Sequence, residues 1–442
     1  MKQVLSILTL LVVTWGFATT RPEGTIVSVQ NLPGSVAAGF HIALSGRKIL
    51  ERRLNAPGFA DLTGHILEQN YRKMQKDFDR LGCELQFYDY PFIPFDDYYT
   101  RDEMSFIRGK VPNKNVSKAM SLVAELIQNA CVVDEKGLAQ ATRSCTGGNR
   151  MRASLSTVAG NELRTLLFSE DYPSYPTYFK GQAPSLEMVH KFMKIYFSPT
   201  NMIVTVLGEV DSNALKKSIE KDFSGWGGDS SRIEVHKAKQ TIPEKKTASL
   251  ETRRKSQGYV LLVRPLKDEM NAREIATALL FARQVSDAIS FQLREKEGLA
   301  YSIGAGVRNI GGHYFLTLGM GTSPKFVTSS ADRMDNMLES LLTGGKIAES
   351  ELQRIRNSLL ISRRMKRLTN VNKAFFNGLD LLWNRPQNFE EEVDNSIKKM
   401  NVATLEKARA LLSGPEIRIL INATDESVEK NNGEKGPHRK HP

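Results

Sequence analysis

The chain has 442 residues, 40% hydrophobic and 25% charged, with a formal net charge of +12 at pH 7. Length and composition are those of an ordinary globular protein with enough core for two or three domains. Three cysteines, Cys83, Cys131 and Cys145, exclude a disulfide framework, allow one bridge at most, and lack the C-x-x-C spacing of a cysteine zinc site.

The chain opens with Met1 and Lys2, runs apolar from Val4 to Phe17, and meets small and polar residues at Ala18, Thr19 and Thr20. This is the layout of a secretory signal peptide over residues 1–20. The apolar run falls short of the roughly 20 residues of a membrane span, so export to the periplasm or medium is expected, with signal-anchored attachment as the alternative.

From residue 21 the chain contains a repeat. A helical stretch at 60–81 leads to alternating segments at 83–90 and 102–111, and Pro112 then opens an amphipathic run to Ala130. In the second half 276–293 leads to 299–307 and 312–320, and Ser323-Pro324 opens a run to Leu342. The ends correspond too. A helix at 184–197, stopped by Pro199, precedes a strand at 202–207; a helix at 401–412, followed by Pro415, precedes a strand at 417–421.

The expected fold is therefore α+β, with two homologous domains at 21–228 and 258–425, each a mainly antiparallel mixed sheet packed with helices. Residues 229–257, rich in Gly, Ser, Lys and Glu, read as a linker. Residues 426–442 read as a charged, disordered tail whose His438 and His441 are solvent-exposed rather than metal-binding. The basic excess gathers at 237–255, at 363–367 and in the tail without interleaved aromatics, which is solvated surface rather than a nucleic-acid site. Attraction to an acidic partner or an anionic membrane is the alternative.

Within the first domain, Pro57-Gly-Phe-Ala-Asp-Leu-Thr-Gly-His-Ile-Leu67 resembles the opening helix of the pitrilysin/insulinase zinc peptidases. Active members carry His-x-x-Glu-His there, two imidazoles one turn apart for the ion and a Glu as general base. This chain places Asp61, Gly64 and His65 at those positions. Shifting the register to His65-Ile-Leu-Glu68-Gln69 restores one His and the Glu but loses the second His. The family's third ligand, a Glu expected just after 134–144, falls on Cys145-Thr-Gly-Gly-Asn149. No zinc is expected on this chain; Asp61, His65 and Glu68, on one helical face, form the alternative metal site.

Tyr196-Phe-Ser-Pro-Thr-Asn-Met-Ile-Val-Thr-Val-Leu-Gly-Glu-Val-Asp211 resembles the close of the family's first domain. Leu293-Arg-Glu-Lys-Glu-Gly-Leu-Ala-Tyr-Ser-Ile-Gly-Ala-Gly306 resembles the most recognisable segment of its second domain. There an Arg and a Tyr, matched by Arg294 and Tyr301, reach a peptide held at the zinc of a facing domain. The resemblance runs from about Gly34 to Asp425 and departs at 88–97.

It implies half of a peptidase clamshell, with no catalytic residues of its own and inactive alone. It also implies a non-catalytic, substrate-binding subunit of an exported heterodimeric zinc metallopeptidase, whose zinc-bearing homologous partner carries the Zn. Arg294 and Tyr301 would serve the partner's site by binding a peptide or unfolded polypeptide. The alternative is a homodimeric peptide-binding or scaffolding protein without activity.

Overall fold

The computed structural model describes residues 24–89, 99–147, 154–168, 183–226, 232–235, 237, 246–252, 257–344, 347–386 and 388–423. The expected signal peptide, the charged tail, most of the 88–97 departure and Gly148-Asn149 lie outside the described residues.

The first half runs β1 (Ile26–Asn31), β2 (Ala37–Ser45), α1 (Arg47–Arg53), α2 (Phe59–Lys73), α3 (Gln75–Leu81), β3 (Glu84–Gln86) and β4 (Met104–Pro112). It continues through α4 (Val116–Ala130), α5 (Glu135–Gly147), α6 (Leu155–Leu167), α7 (Leu186–Tyr196), β5 (Met202–Gly208) and α8 (Ser212–Asp222). The second half runs β6 (Lys246–Thr252), β7 (Gly258–Pro265), α9 (Ala272–Ile289), β8 (Ser302–Ile310), β9 (His313–Thr322) and α10 (Val327–Thr343). It ends with α11 (Glu349–Lys366), α12 (Asn370–Leu382), α13 (Phe389–Lys398), α14 (Val402–Leu405) and β10 (Ile417–Ala423).

The strands form two five-stranded sheets, ordered β1-β5-β2-β4-β3 and β6-β10-β7-β9-β8. In each, the first pair is parallel and the others antiparallel, so the sheets match strand for strand. The expected α+β class and mainly antiparallel mixed sheets are what the chain forms.

Three elements differ from expectation. Lys246–Thr252, read as linker, is β6, paired in parallel with β10. Its Ala248 and Leu250 pack against the core between charged and polar neighbours, a short alternation hidden in a lysine-rich stretch. The segment at 83–90 yields only the three-residue β3. The 401–412 helix is one α-helical turn, α14, continued as 3₁₀ over Glu406–Leu411.

Both faces of each sheet are buried. Phe40, Ile42 and Leu44 of β2 point into a core with Leu62, Ile66, Met120 and Val123 of the same half. The opposite face carries Ala43, Phe106 and Ile203, which meet Phe375, Leu379 and Leu382 of α12, a helix of the other half. Reciprocally, Ile417, Ile419 and Ile421 of β10 meet Leu155, Ala159, Leu163 and Leu167 of α6. Each half thus lends its third post-sheet helix to its neighbour.

Polar contacts fix the α12 docking. The Thr205 hydroxyl donates to the Ala374 carbonyl at 2.7 Å, Tyr99 Oη donates to Asn372 Oδ1 at 2.7 Å, and Asn370 Nδ2 donates to the Ala37 carbonyl at 2.8 Å. Gly39 lets the backbones touch, since a Cβ there would stand 2.2 Å from the Val371 nitrogen. Among the described residues no single helix is long and apolar enough to cross a membrane.

Candidate functional site

The first candidate sits on α2. Gly58, at φ 86°, turns the chain left-handed before the helix starts, and the helix then buries Phe59, Ala60, Leu62, Thr63, Ile66 and Leu67. That fixes the outward face on which Asp61 and His65 lie. Asp61 Oδ1 accepts from Arg47 Nη2 at 2.5 Å, and Arg47 is only 3% exposed. A buried guanidinium without its carboxylate would be costly, so Asp61 is committed to Arg47.

Gly64 stands where the family's general base would be. A Cβ there would lie 3.3 Å from the Phe87 carbonyl oxygen and 3.5 Å from a Tyr88 ring carbon, so the chain after β3 closes over the position. His65 stacks on Tyr88, with ring centroids 4.7 Å apart, and its Nδ1 is 4.0 Å from Glu68. Burial lowers its pKa, against the opposing pull of Glu68 and Asp61. Glu68 accepts from Tyr88 Oη and from Arg72 at 2.7 Å; these bonds outweigh burial and hold its carboxyl below the usual range.

Helix α5 returns to α2 where the third ligand would come, and it presents Cys145. That thiol is buried, its pKa is pushed up to about 12 by burial, and the Asp61 and Glu51 charges add to the rise. A neutral thiol is a poor metal ligand. The donors present do not fit a zinc ion. The Asp61, His65 and Glu68 trio also fails to converge, since Asp61 turns to Arg47 and Glu68 to Arg72 and Tyr88. Among the described residues no group of three His, Cys, Asp or Glu could hold a metal. Cys83, Cys131 and Cys145 form no disulfide among the described residues.

The second candidate joins α9 to β8. The last turn of α9 widens into a π-helix over Ser290–Lys296, which carries Arg294. Wide turns of this kind recur at functional sites. Gly298, at φ 64°, reverses the chain, the Leu299 amide donates to the Leu293 carbonyl at 2.9 Å, and the Tyr301 amide donates to the Gly321 carbonyl at 2.9 Å. Both side chains therefore sit on one tightly pinned connection at an edge of the second sheet.

The Arg294 side chain is 56% exposed, and its nearest charge is Glu295 at 3.8 Å. Tyr301 is 62% exposed, with Oη 3.2 Å from Ser323 Oγ. Neither is consumed by packing, and both can donate to an oxygen presented from outside.

Sequence reasoning missed Arg47, the cation that takes up Asp61. Nothing in the sequence marks it, because a basic residue opening a short helix ordinarily faces water.

Residues 185–359 match the family described as peptidase M16 inactive domain. No curated protein matches the chain in sequence. Among solved structures, a peptidase M16 inactive domain from Pseudomonas fluorescens superposes with TM-score 0.74 at 16% identity, covering 91% of this chain and 96% of that one. A protease from Helicobacter pylori gives TM-score 0.76 at 16% identity, with 90% and 97% covered. A chain of complex III2 from Candida albicans gives 0.68 at 12% identity, with 92% and 97% covered. At these identities the structures establish a shared fold.

Proposed function

We propose that this chain, whose residues 185–359 match the peptidase M16 inactive domain, is the non-catalytic, substrate-binding subunit of an exported zinc metallopeptidase. A homologous subunit bears the zinc. The observation that carries the reading is the contrast between its two candidate sites. At the first, His65 keeps its imidazole, but the positions around it are spent or filled: Asp61 on Arg47, Gly64 under Phe87, and Cys145 neutral. At the second, Arg294 and Tyr301 are more than half exposed on a pinned connection, with Glu295 3.8 Å from the one and Ser323 Oγ 3.2 Å from the other.

Arg294 and Tyr301 would donate hydrogen bonds to a peptide carbonyl held across the subunit interface. Donors fixed before the substrate arrives stabilise charge that develops on that oxygen, without further reorganisation. Export rests on the signal-peptide pattern of residues 1–20, and the peptide substrate on the family resemblance.

Purified alone, the chain is expected to hydrolyse no peptide; mixed with a zinc-bearing homologue, it raises peptidase activity. Arg294→Ala should cut the activity of the mixture by about 10²-fold and Tyr301→Phe by about tenfold, with complex formation unchanged. Full activity in both variants would remove the Arg294/Tyr301 role. A stable homodimer by light scattering that ignores the homologue would favour a scaffolding protein instead.

A further inference from the structure

A cavity of about 430 Å³ opens between the two halves, walled by α6, α9, β8, α11 and α12. That volume suits a small organic molecule. Its lining is strongly basic: seven Arg and Lys side chains, with Glu390 the only acidic one among the described residues.

Much of this charge is neutralised. Arg363 donates to Glu390 and Asp394, each at 2.6 Å; Arg367 donates to Asp394; and Arg164 donates to Asp102 at 2.9 Å. Three guanidiniums remain without an ion pair among the described residues. Arg101 lies over the Phe375 ring, 5.5 Å from its centroid, and its buried Nε has no hydrogen-bond partner. Arg385 donates to the neutral Tyr314 phenol at 2.6 Å and rests on the Phe389 ring. Arg308, on the edge strand β8, is exposed.

Phe376 and Trp383, both half-buried, line the same cavity. Guanidinium forks match oxyanions two bonds at a time, and aromatic faces take flat apolar bodies. Both kinds of group line one cavity, and both halves of the chain contribute: Arg101 from one, Arg308, Arg385 and Trp383 from the other.

We propose that this cavity binds a small organic anion with two or more negative charges on a flat apolar body. Arg101, Arg308 and Arg385 hold the charged end, and Trp383 and Phe376 flank the body. Phosphate and carboxylate share this chemistry, and the probes separate them. Because the site lies between α6 and α12, its ligand bridges the halves and stabilises the folded chain by linkage.

The test is isothermal titration calorimetry on the full chain with ATP, inorganic pyrophosphate, benzene-1,3,5-tricarboxylate and uncharged adenosine. ATP or the tricarboxylate should bind once per chain, pyrophosphate more weakly, and adenosine not measurably. The winning probe assigns phosphate or carboxylate.

Arg101→Gln with Arg308→Gln should weaken binding by at least about tenfold. In the wild-type chain the bound probe should quench tryptophan fluorescence, and Trp383→Phe should abolish the quench. No heat from any charged probe at millimolar concentration would overturn the proposal. So would an unchanged affinity in a folded Arg101→Gln/Arg308→Gln variant, or a quench that survives Trp383→Phe.

Discussion

Asp61 and Arg47 decide the fate of the first site. Rebuilding the motif with Asp61→His and Gly64→Glu would give His-x-x-Glu-His around His65, yet the variant should carry well under one zinc per chain by metal analysis. Removing Asp61 takes from the buried Arg47 the carboxylate it donates to, which costs about 3 kcal/mol. The new Glu must also push back the Phe87 carbonyl, 3.3 Å from its Cβ, and burial still disfavours the Cys145 thiolate. Stoichiometric zinc in that double variant would show that the pocket is more permissive than its geometry.

His41 makes a second residue-scale point. It is fully buried on β2 against Phe106 and Phe375, and neither ring nitrogen has a partner among the described residues. Burial first, and the Arg108 charge second, lower its pKa from 6.5 to about 3. Between those values the unfolded chain binds a proton that the folded chain refuses, so stability rises with pH across that window. The contribution is complete above pH 6.5 and is lost as pH falls toward 3. His41→Phe, apolar and close in shape, should flatten the dependence, with a smaller loss of denaturant midpoint between pH 6.5 and 4. An unchanged slope would assign acid sensitivity elsewhere.

The missing zinc ligands were legible in the sequence because a motif is a spacing, and the spacing is broken at Asp61 and Gly64. Arg47 was not, because it pairs across 14 residues that carry no periodic signal.

At the scale of elements, the backbones of β2 and α12 meet closely at Gly39. Gly39→Ala should destabilise the chain by about 2–4 kcal/mol, because its Cβ would meet the Val371 nitrogen and Asn370 carbonyl carbon, backbone atoms that cannot turn aside. The loss should appear as a lower thermal midpoint and faster hydrogen exchange in α12. Unchanged protection of α12 would mean that the helix is held elsewhere.

Strands such as β5 and β10 were readable from their apolar runs, and α4 and α10 from their amphipathic runs behind Pro112 and Ser323-Pro324. β6 was not, because Ala248 and Leu250 pack inward from a segment otherwise like a linker. The exchange of α6 and α12 was invisible for a different reason. An apolar stripe says that a helix face is covered, never by which sheet.

For the whole molecule, the exchange means that neither half can close its own core. Ile417, Ile419 and Ile421 are fully buried, and exposing them alone forfeits about 5 kcal/mol. Residues 24–226 and 246–423 produced separately should aggregate or lack native near-ultraviolet dichroism, whereas co-production should yield a complex that elutes as one species. The intact chain should melt in a single calorimetric transition. A soluble, cooperatively folded isolated half would contradict this.

The traded helices also bear on ancestry. A lone ancestral module would have left one sheet face bare. Two copies could cover each other by lending a helix, as domain-swapped dimers do. The two matching sheets and the traded helices are what such a pair, joined end to end, would leave.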